Sequence, residues 1–134
     1  MGPAEMIVDA SALVAILFDE PESRAFEALI AASPAPSMSP VNFLEAAVRI
    51  DSLKSPDKSS KFDAYLKVAG LEIVDLTKEQ AAIAREAYAK YGKRNHPARL
   101  NLGDCFAYAL AKARGEPLLF KGDDFRKTDV EAAL

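Results

Sequence analysis

One cysteine, one histidine, no excess of basic residues and no long apolar run are the first features of this 134-residue chain. A lone cysteine, Cys105, excludes an internal disulfide and a cysteine-based zinc cluster. A lone histidine, His96, excludes metal-free acid–base chemistry that needs two imidazoles. The apolar stretch at residues 10–18 is far short of the roughly 20 residues that span a bilayer. Acidic Glu5 and Asp9 precede it where a signal peptide would carry basic residues, so neither a signal peptide nor an anchor is expected and the cytoplasm is the expected compartment. Net charge is −3, so any grip on a polyanion must come from local clusters of positive charge. Half of the residues are hydrophobic and 28% are charged, which suits one domain around a single core.

The order of the elements is legible. Residues 6–8 read as a short buried strand. Helices are expected over 11–19 and 22–32, with an extended segment near Ser37 and Met38. Ser39-Pro40 is a helix start, with serine at the N-cap and proline at the first helical position, opening a helix to about Leu53. Residues 54–60 read as a polar break and 61–68 as a helix; residues 71–76 alternate as a strand with one exposed face. Thr77-Lys78-Glu79-Gln80 reads as a capping box for a helix that Gly92 closes. A basic loop over 93–99 leads to a helix over 102–114, a strand at 118–120 and a short last helix capped near Thr128. Strands alternating with helices predict an α/β/α sandwich with a mostly parallel sheet, in a single domain over 1–134 whose first five residues form a leader.

In such sheets ligands bind at the carboxyl ends of the strands, and acids fall there. Asp9 follows the first strand, Asp104 lies in the first turn of the helix over 102–114, and Asp123 and Asp124 follow the last strand. Glu45 sits in the second turn of the Ser39-capped helix, where burial without a partner would be costly. Each has a plainer reading: Asp9 as a helix cap, Asp104 as a dipole-stabilising acid, Asp123 and Asp124 as turn residues. Together they imply more, because clustered carboxylates are tolerated mainly where a cation offsets them, and hard oxygen ligands suit Mg²⁺ or Mn²⁺.

Four segments then resemble one family. Ile7-Val8-Asp9-Ala10-Ser11-Ala12-Leu13, Asn42-Phe43-Leu44-Glu45-Ala46, Leu102-Gly103-Asp104-Cys105-Phe106 and Pro117-Leu118-Leu119-Phe120-Lys121-Gly122-Asp123-Asp124-Phe125 are similar, in order and spacing, to the four motifs of PIN-domain toxins of the VapC type. The resemblance implies a PIN-like fold and an Mg²⁺-dependent endoribonuclease, with Mn²⁺ as a possible substitute. It implies Asp9 and Asp104 as metal ligands, with Glu45 completing the acidic pocket. Many PIN domains carry Thr-x-Asp where this chain has Phe120-Lys121-Gly122, which shifts the fourth acidic role to Asp124, with Asp123 as the alternative, and points to one firmly bound ion. A VapB-type antitoxin and a homodimer are the implied partners. The apolar residues Leu13, Ile16, Leu17, Phe18, Phe26, Leu29 and Ile30 could build such an interface or simply the core.

For the RNA substrate, Lys90, Lys93, Arg94, His96 and Arg99 form one basic group before Asp104, and Lys121, Arg126 and Lys127 another around the Asp123-Asp124 turn. Ser11, Lys93, Arg94 and Arg99 are the expected substrate contacts. A dehalogenase-like phosphatase would need Asp-x-Asp where Asp9-Ala10-Ser11 stands, and a phosphorelay receiver would need an acid pair that is not evident. A PIN domain that binds RNA or a protein without cutting is the remaining alternative.

Overall fold

The computed structural model describes residues 5–134; residues 1–4, most of the expected leader, lie outside the described residues. Four two-residue strands form the sheet: β1 (Ile7–Val8), β2 (Ser37–Met38), β3 (Glu72–Ile73) and β4 (Leu118–Leu119). Their order is β3-β2-β1-β4 and every pairing is parallel. Six helices connect them: α1 (Ala10–Leu17), α2 (Ser23–Ala32), α3 (Pro40–Asp51), α4 (Pro56–Ala69), α5 (Lys78–Tyr91) and α6 (Leu102–Arg114).

Side-chain alternation along the strands divides the core into two layers. Ile7 and Leu118 face a cluster built by α5 and α6, with Ala84, Tyr91, Leu110 and Phe125. Val8, Met38 and Leu119 face the opposite cluster of α1 to α4, with Leu13, Phe26, Ile30 and Ile50. The expected three-layer α/β/α sandwich is therefore the observed one. Strand faces covered on both sides explain why β1, β2 and β4 read as continuous buried pairs.

Four expectations about elements change. α4 begins at Pro56 and not near residue 61, with Ser55 as N-cap accepting from Lys58 N. β3 is limited to two residues, both exposed, as befits an edge strand. Thr77 caps α5, but Gln80 turns its amide to the Asp75 carbonyl, so the box is only half closed. No helix follows Thr128; a 3₁₀ turn at Phe125–Lys127 precedes it, and the chain then returns to make a parallel bridge from Ala132 to Leu118. The early apolar residues join the core: Leu13, Ile16, Phe26 and Ile30 are buried, and Leu17, Phe18 and Leu29 pack against them. No helix among the described residues is long and apolar enough to cross a membrane.

A candidate metal-dependent active site

The sheet's carboxyl edge collects helix starts. α1 and α3 follow β1 and β2 after one residue each, so both begin at that edge. α6 runs the other way into the amino end of β4, which returns its own first turn to the same edge. Helix N-termini carry unsatisfied N–H groups and partial positive charge, which favours acids beside them.

Asp9 is the N-cap of α1 and is almost completely buried. Its Oδ2 accepts from Ser11 N at 3.0 Å and from Ser11 Oγ at 2.6 Å. Ser11 Oγ in turn accepts from the Lys121 backbone N–H at 3.0 Å, tying β4's exit to α1. The capping reading of Asp9 is thus correct for one oxygen. The other, Oδ1, is buried with no hydrogen-bond partner among the described residues. Burial, and the charges of Asp104 and Glu45 against the opposing Ser11 bonds, push the Asp9 carboxyl up to about 7.

Asp104 closes a reciprocal capping box with Asn101: Asn101 Oδ1 accepts from Asp104 N at 2.8 Å, and Asp104 Oδ2 accepts from Asn101 N at 3.0 Å. The helix-stabilising reading is again correct for one oxygen. Desolvation, aided by the charges of Glu45 and Asp124, pushes this carboxyl up to about 6. Asp124 is exposed in the turn after Gly122, whose φ of +97° takes the chain round the corner. The negative charge of Asp124 is one of those that raise the Asp104 carboxyl, and Asp123 is exposed in the same turn.

Glu45 departs from its sequence reading, because it is exposed and not buried in an apolar face. Its carboxylate lies at the α3–α6 seam, where Oε1 accepts from Asn42 Nδ2 at 3.2 Å. Ser11, which the family resemblance makes the support of Asp9, has its hydroxyl engaged with Asp9 and Lys121. Asn42 and Gly103, though inside the family motifs, carry no role in the sequence reading. The signal available is the i,i+3 spacing of Asn42 and Glu45 on one helix face.

The four acids Asp9, Glu45, Asp104 and Asp124 share one field and make no salt bridge among the described residues. No three His, Cys, Asp or Glu side chains among the described residues stand at ligand spacing, so the acids form no closed cage of ligands. An orphaned buried carboxylate oxygen and two acids with raised proton affinity fit a divalent cation, whose charge would replace the protons.

The basic loop reaches this edge in an ordered form. Lys93 N donates to the Leu100 carbonyl and Leu100 N to the Tyr91 carbonyl, closing residues 92–100 directly before the α6 cap. Lys93, Arg94 and Arg99 are exposed on it, Arg99 at a positive φ of 54°. His96 is structural: its Nδ1 accepts from Ala98 N, and its ring meets Tyr91 edge-on. Of the second basic group, Lys121 is paired with Glu20 and Glu22, and Arg126 bonds the Leu134 carbonyl while lying over Phe120.

The chain belongs to the PIN-domain family, whose model matches residues 6–131. Within that family its relatives are VapC-type proteins. A protein named Ribonuclease VapC of Mycolicibacterium smegmatis is 48% identical over 95% of this chain and 98% of its own length. Ribonuclease VapC30 of Mycobacterium tuberculosis is 46% identical over 93% of this chain and 95% of its own. Among solved structures, the sarcin-ricin loop cleaving toxin VapC20 of Mycobacterium tuberculosis overlays with a TM-score of 0.73 at 14% identity, covering 93% of this chain and 95% of that one. VapBC2 of Rickettsia felis, bound to a promoter DNA fragment, also scores 0.73, at 18% identity and 96% coverage of both chains. At such low identity these two establish the shared fold.

Proposed function

We propose that this protein is the toxin of a toxin–antitoxin pair and an endoribonuclease that hydrolyses RNA phosphodiester bonds with Mg²⁺, or Mn²⁺ in its place, in the cytoplasm. One observation carries the chemistry: a buried Asp9 whose Oδ1 has no partner among the described residues, in a field shared with Glu45 and Asp104 and with no cationic side chain of those residues paired to it. The relatives named as VapC ribonucleases, aligned over nearly the whole chain, support the same reaction class.

Asp9 and Asp104 would hold the ion. When bound, it lowers the pKa of water and offsets negative charge on the phosphoryl group. Glu45 and Asp124, at the rim, would orient the attacking water and accept its proton. Ser11 keeps Asp9 Oδ2 occupied, so that Oδ1 is the oxygen left for the cation. Lys93, Arg94 and Arg99 would contact backbone phosphates, which positions RNA without reading its sequence. Hydrolysis by water leaves a 5′-phosphate and a 3′-hydroxyl, with no role for the ribose 2′-hydroxyl as nucleophile.

Leu44 and Val48 are exposed on α3, beside a groove of about 460 Å³ that also reaches Val41, Glu45 and Gly103. This apolar surface at the mouth of the basin supports a VapB-type antitoxin that covers it, and a homodimer is the proposed state of the toxin itself. Light scattering with and without co-expressed antitoxin reads both assemblies.

The deciding experiment incubates the purified chain with mixed RNA in Mg²⁺ or EDTA and maps the ends produced. Cleavage that requires the metal, leaves 5′-phosphates and disappears in Asp9→Ala and Asp104→Ala, with circular dichroism unchanged, supports the reading. Full activity in either variant refutes the site. RNA binding without cleavage would favour a non-catalytic PIN domain.

A further inference from the structure

We propose that Asn42 is a positioning residue that, against the bare backbone of Gly103, sets where the Glu45 carboxylate stands relative to Asp104. The proposal rests on the nuclease reading for its activity readout and on geometry for everything else. Asn42 is fully buried in the seam between α3 and α6. Its Nδ2 donates to two groups at once, the Gly103 carbonyl at 2.9 Å and Glu45 Oε1 at 3.2 Å. One amide thus joins a residue of its own helix to the first turn of a helix 61 positions away. Both partners are acceptors, so the amide's orientation is dictated: the NH₂ end faces them. Its Oδ1, directed elsewhere, is buried and unpartnered among the described residues. An apolar side chain of similar shape would fill the space without that desolvation cost, so what the asparagine contributes is the placement of its two partners.

Gly103 supplies the other half of the clasp. A Cβ built there would stand 2.6 Å from both Glu45 carboxylate oxygens, closer than any contact allows. The φ of Gly103 is not positive, so alanine would be acceptable to the backbone and a better helix former at this position. The obstacle is the tip of a flexible side chain. Gly103→Ala therefore leaves the fold standing and moves the carboxylate, which separates position from stability. Asp104 is the next residue in the chain, so the contact that holds Glu45 against α6 also sets its spacing from Asp104.

The test uses full-length chains carrying Asn42→Leu, Gly103→Ala and Glu45→Gln, singly and with each of the first two combined with the third. Melting temperature, kcat and KM on an RNA oligonucleotide at saturating Mn²⁺, and the Mn²⁺ dissociation constant by calorimetry are measured for each. Asn42→Leu and Gly103→Ala are expected to lower kcat by about tenfold or more while KM stays within about threefold. Added to Glu45→Gln, neither should lower kcat by more than about a further twofold, because their effect passes through that carboxylate. Losses that multiply independently of Glu45, or wild-type kcat in both single variants, overturn the proposal. If Asn42→Leu does not fold, Gly103→Ala decides alone. If the wild type cleaves no RNA, the nuclease reading fails by itself and the same cycle is read in Mn²⁺ affinity. There each single variant is expected to weaken binding by about threefold and not additively with Glu45→Gln; additive or absent effects again overturn the clasp.

Discussion

Two acidic regions of this molecule stand close together and are treated in opposite ways. At the corner between α1 and α2, Glu20 and Glu22 close on the Lys121 ammonium, and elsewhere Asp57 meets Lys61 and Asp129 meets Lys112 and Tyr108. On the sheet edge beside that corner, Asp9, Glu45, Asp104 and Asp124 have no such partner among the described residues, although Lys121's own backbone N–H reaches Ser11 beneath Asp9. The Lys121 ammonium pairs with Glu20 and Glu22 and with none of those four acids. Acids neutralised by the chain itself are structural; acids gathered at one edge around a buried, unpaired Asp9 call for positive charge from outside. The difference is legible in the proton affinities: Asp129, bonded to Tyr108 and Lys112, lies below the usual carboxylate range, whereas burial drives Asp9 and Asp104 above it.

The strongest way to break this contrast is to remove the charge of Asp9 without its shape. Without metal, folded Asp9 holds its proton up to about pH 7, whereas the unfolded chain releases it near 3.8. Stability from this group is therefore complete at low pH and is lost as pH rises through that window. Asp9→Asn carries no such penalty, so in EDTA its unfolding free energy, read from urea melts, should rise relative to the parent between pH 4 and pH 8, by up to about 4 kcal/mol. A constant difference across that range would show that the buried charge is not under strain.

Next in size is the effect of the ion. Mn²⁺ at about a hundred times its dissociation constant should stabilise the parent by about 2.7 kcal/mol, read as a rise in melting temperature. Asp9→Ala should show little of that rise, and Lys121→Met all of it. A smaller effect is expected from Lys93→Ala combined with Arg94→Ala. For each phosphate that these cations no longer neutralise, the slope of log binding constant against log salt should fall by about 0.7 for single-stranded RNA. Filter binding with an inactive Asp104→Ala background measures it; an unchanged slope removes the loop from the substrate path. Smallest is Lys121→Met itself, since ion pairs that keep about a third of their side-chain surface in solvent contribute little; a calorimetric melt should barely shift, while the same substitution leaves cleavage intact.

How far the fold is legible follows from local chemistry, element by element. Ser39-Pro40 announces α3 through one side chain and one fixed φ. Ser55-Pro56 is the same signal, but the turn after it, Asp57-Lys58-Ser59-Ser60-Lys61, has no apolar periodicity, so pattern alone places the start of α4 too late. Phe62 is the only residue of α4 that is buried, so the cap and not a hydrophobic face marks where that helix starts. The end of the chain misleads in the opposite sense: Thr128 has the look of an N-cap, but its hydroxyl bonds within a turn and residue 132 docks on β4. In the basin, Asp9, Asp104 and Asp124 can be found because strand ends and helix starts are local features. Glu45 stands in its motif but reads as buried, since its exposure depends on what α6 leaves uncovered.

The sequence alone determined the Ser39 and Thr77 caps, the apolar strands and the placing of acids at their ends, because each depends on a few neighbouring residues and short-range sterics. Only the tertiary structure decided that Glu20 and Glu22 receive Lys121 while Asp9 and Asp104 receive no lysine among the described residues, and that Asn42 reaches Gly103 across the seam. The Asn42–Gly103, Lys121–Glu20 and Lys121–Ser11 contacts join residues 61, 101 and 110 positions apart. Such contacts exist only once the parallel sheet has brought the starts of α1, α3 and α6 to one edge, and no local rule of propensity encodes them.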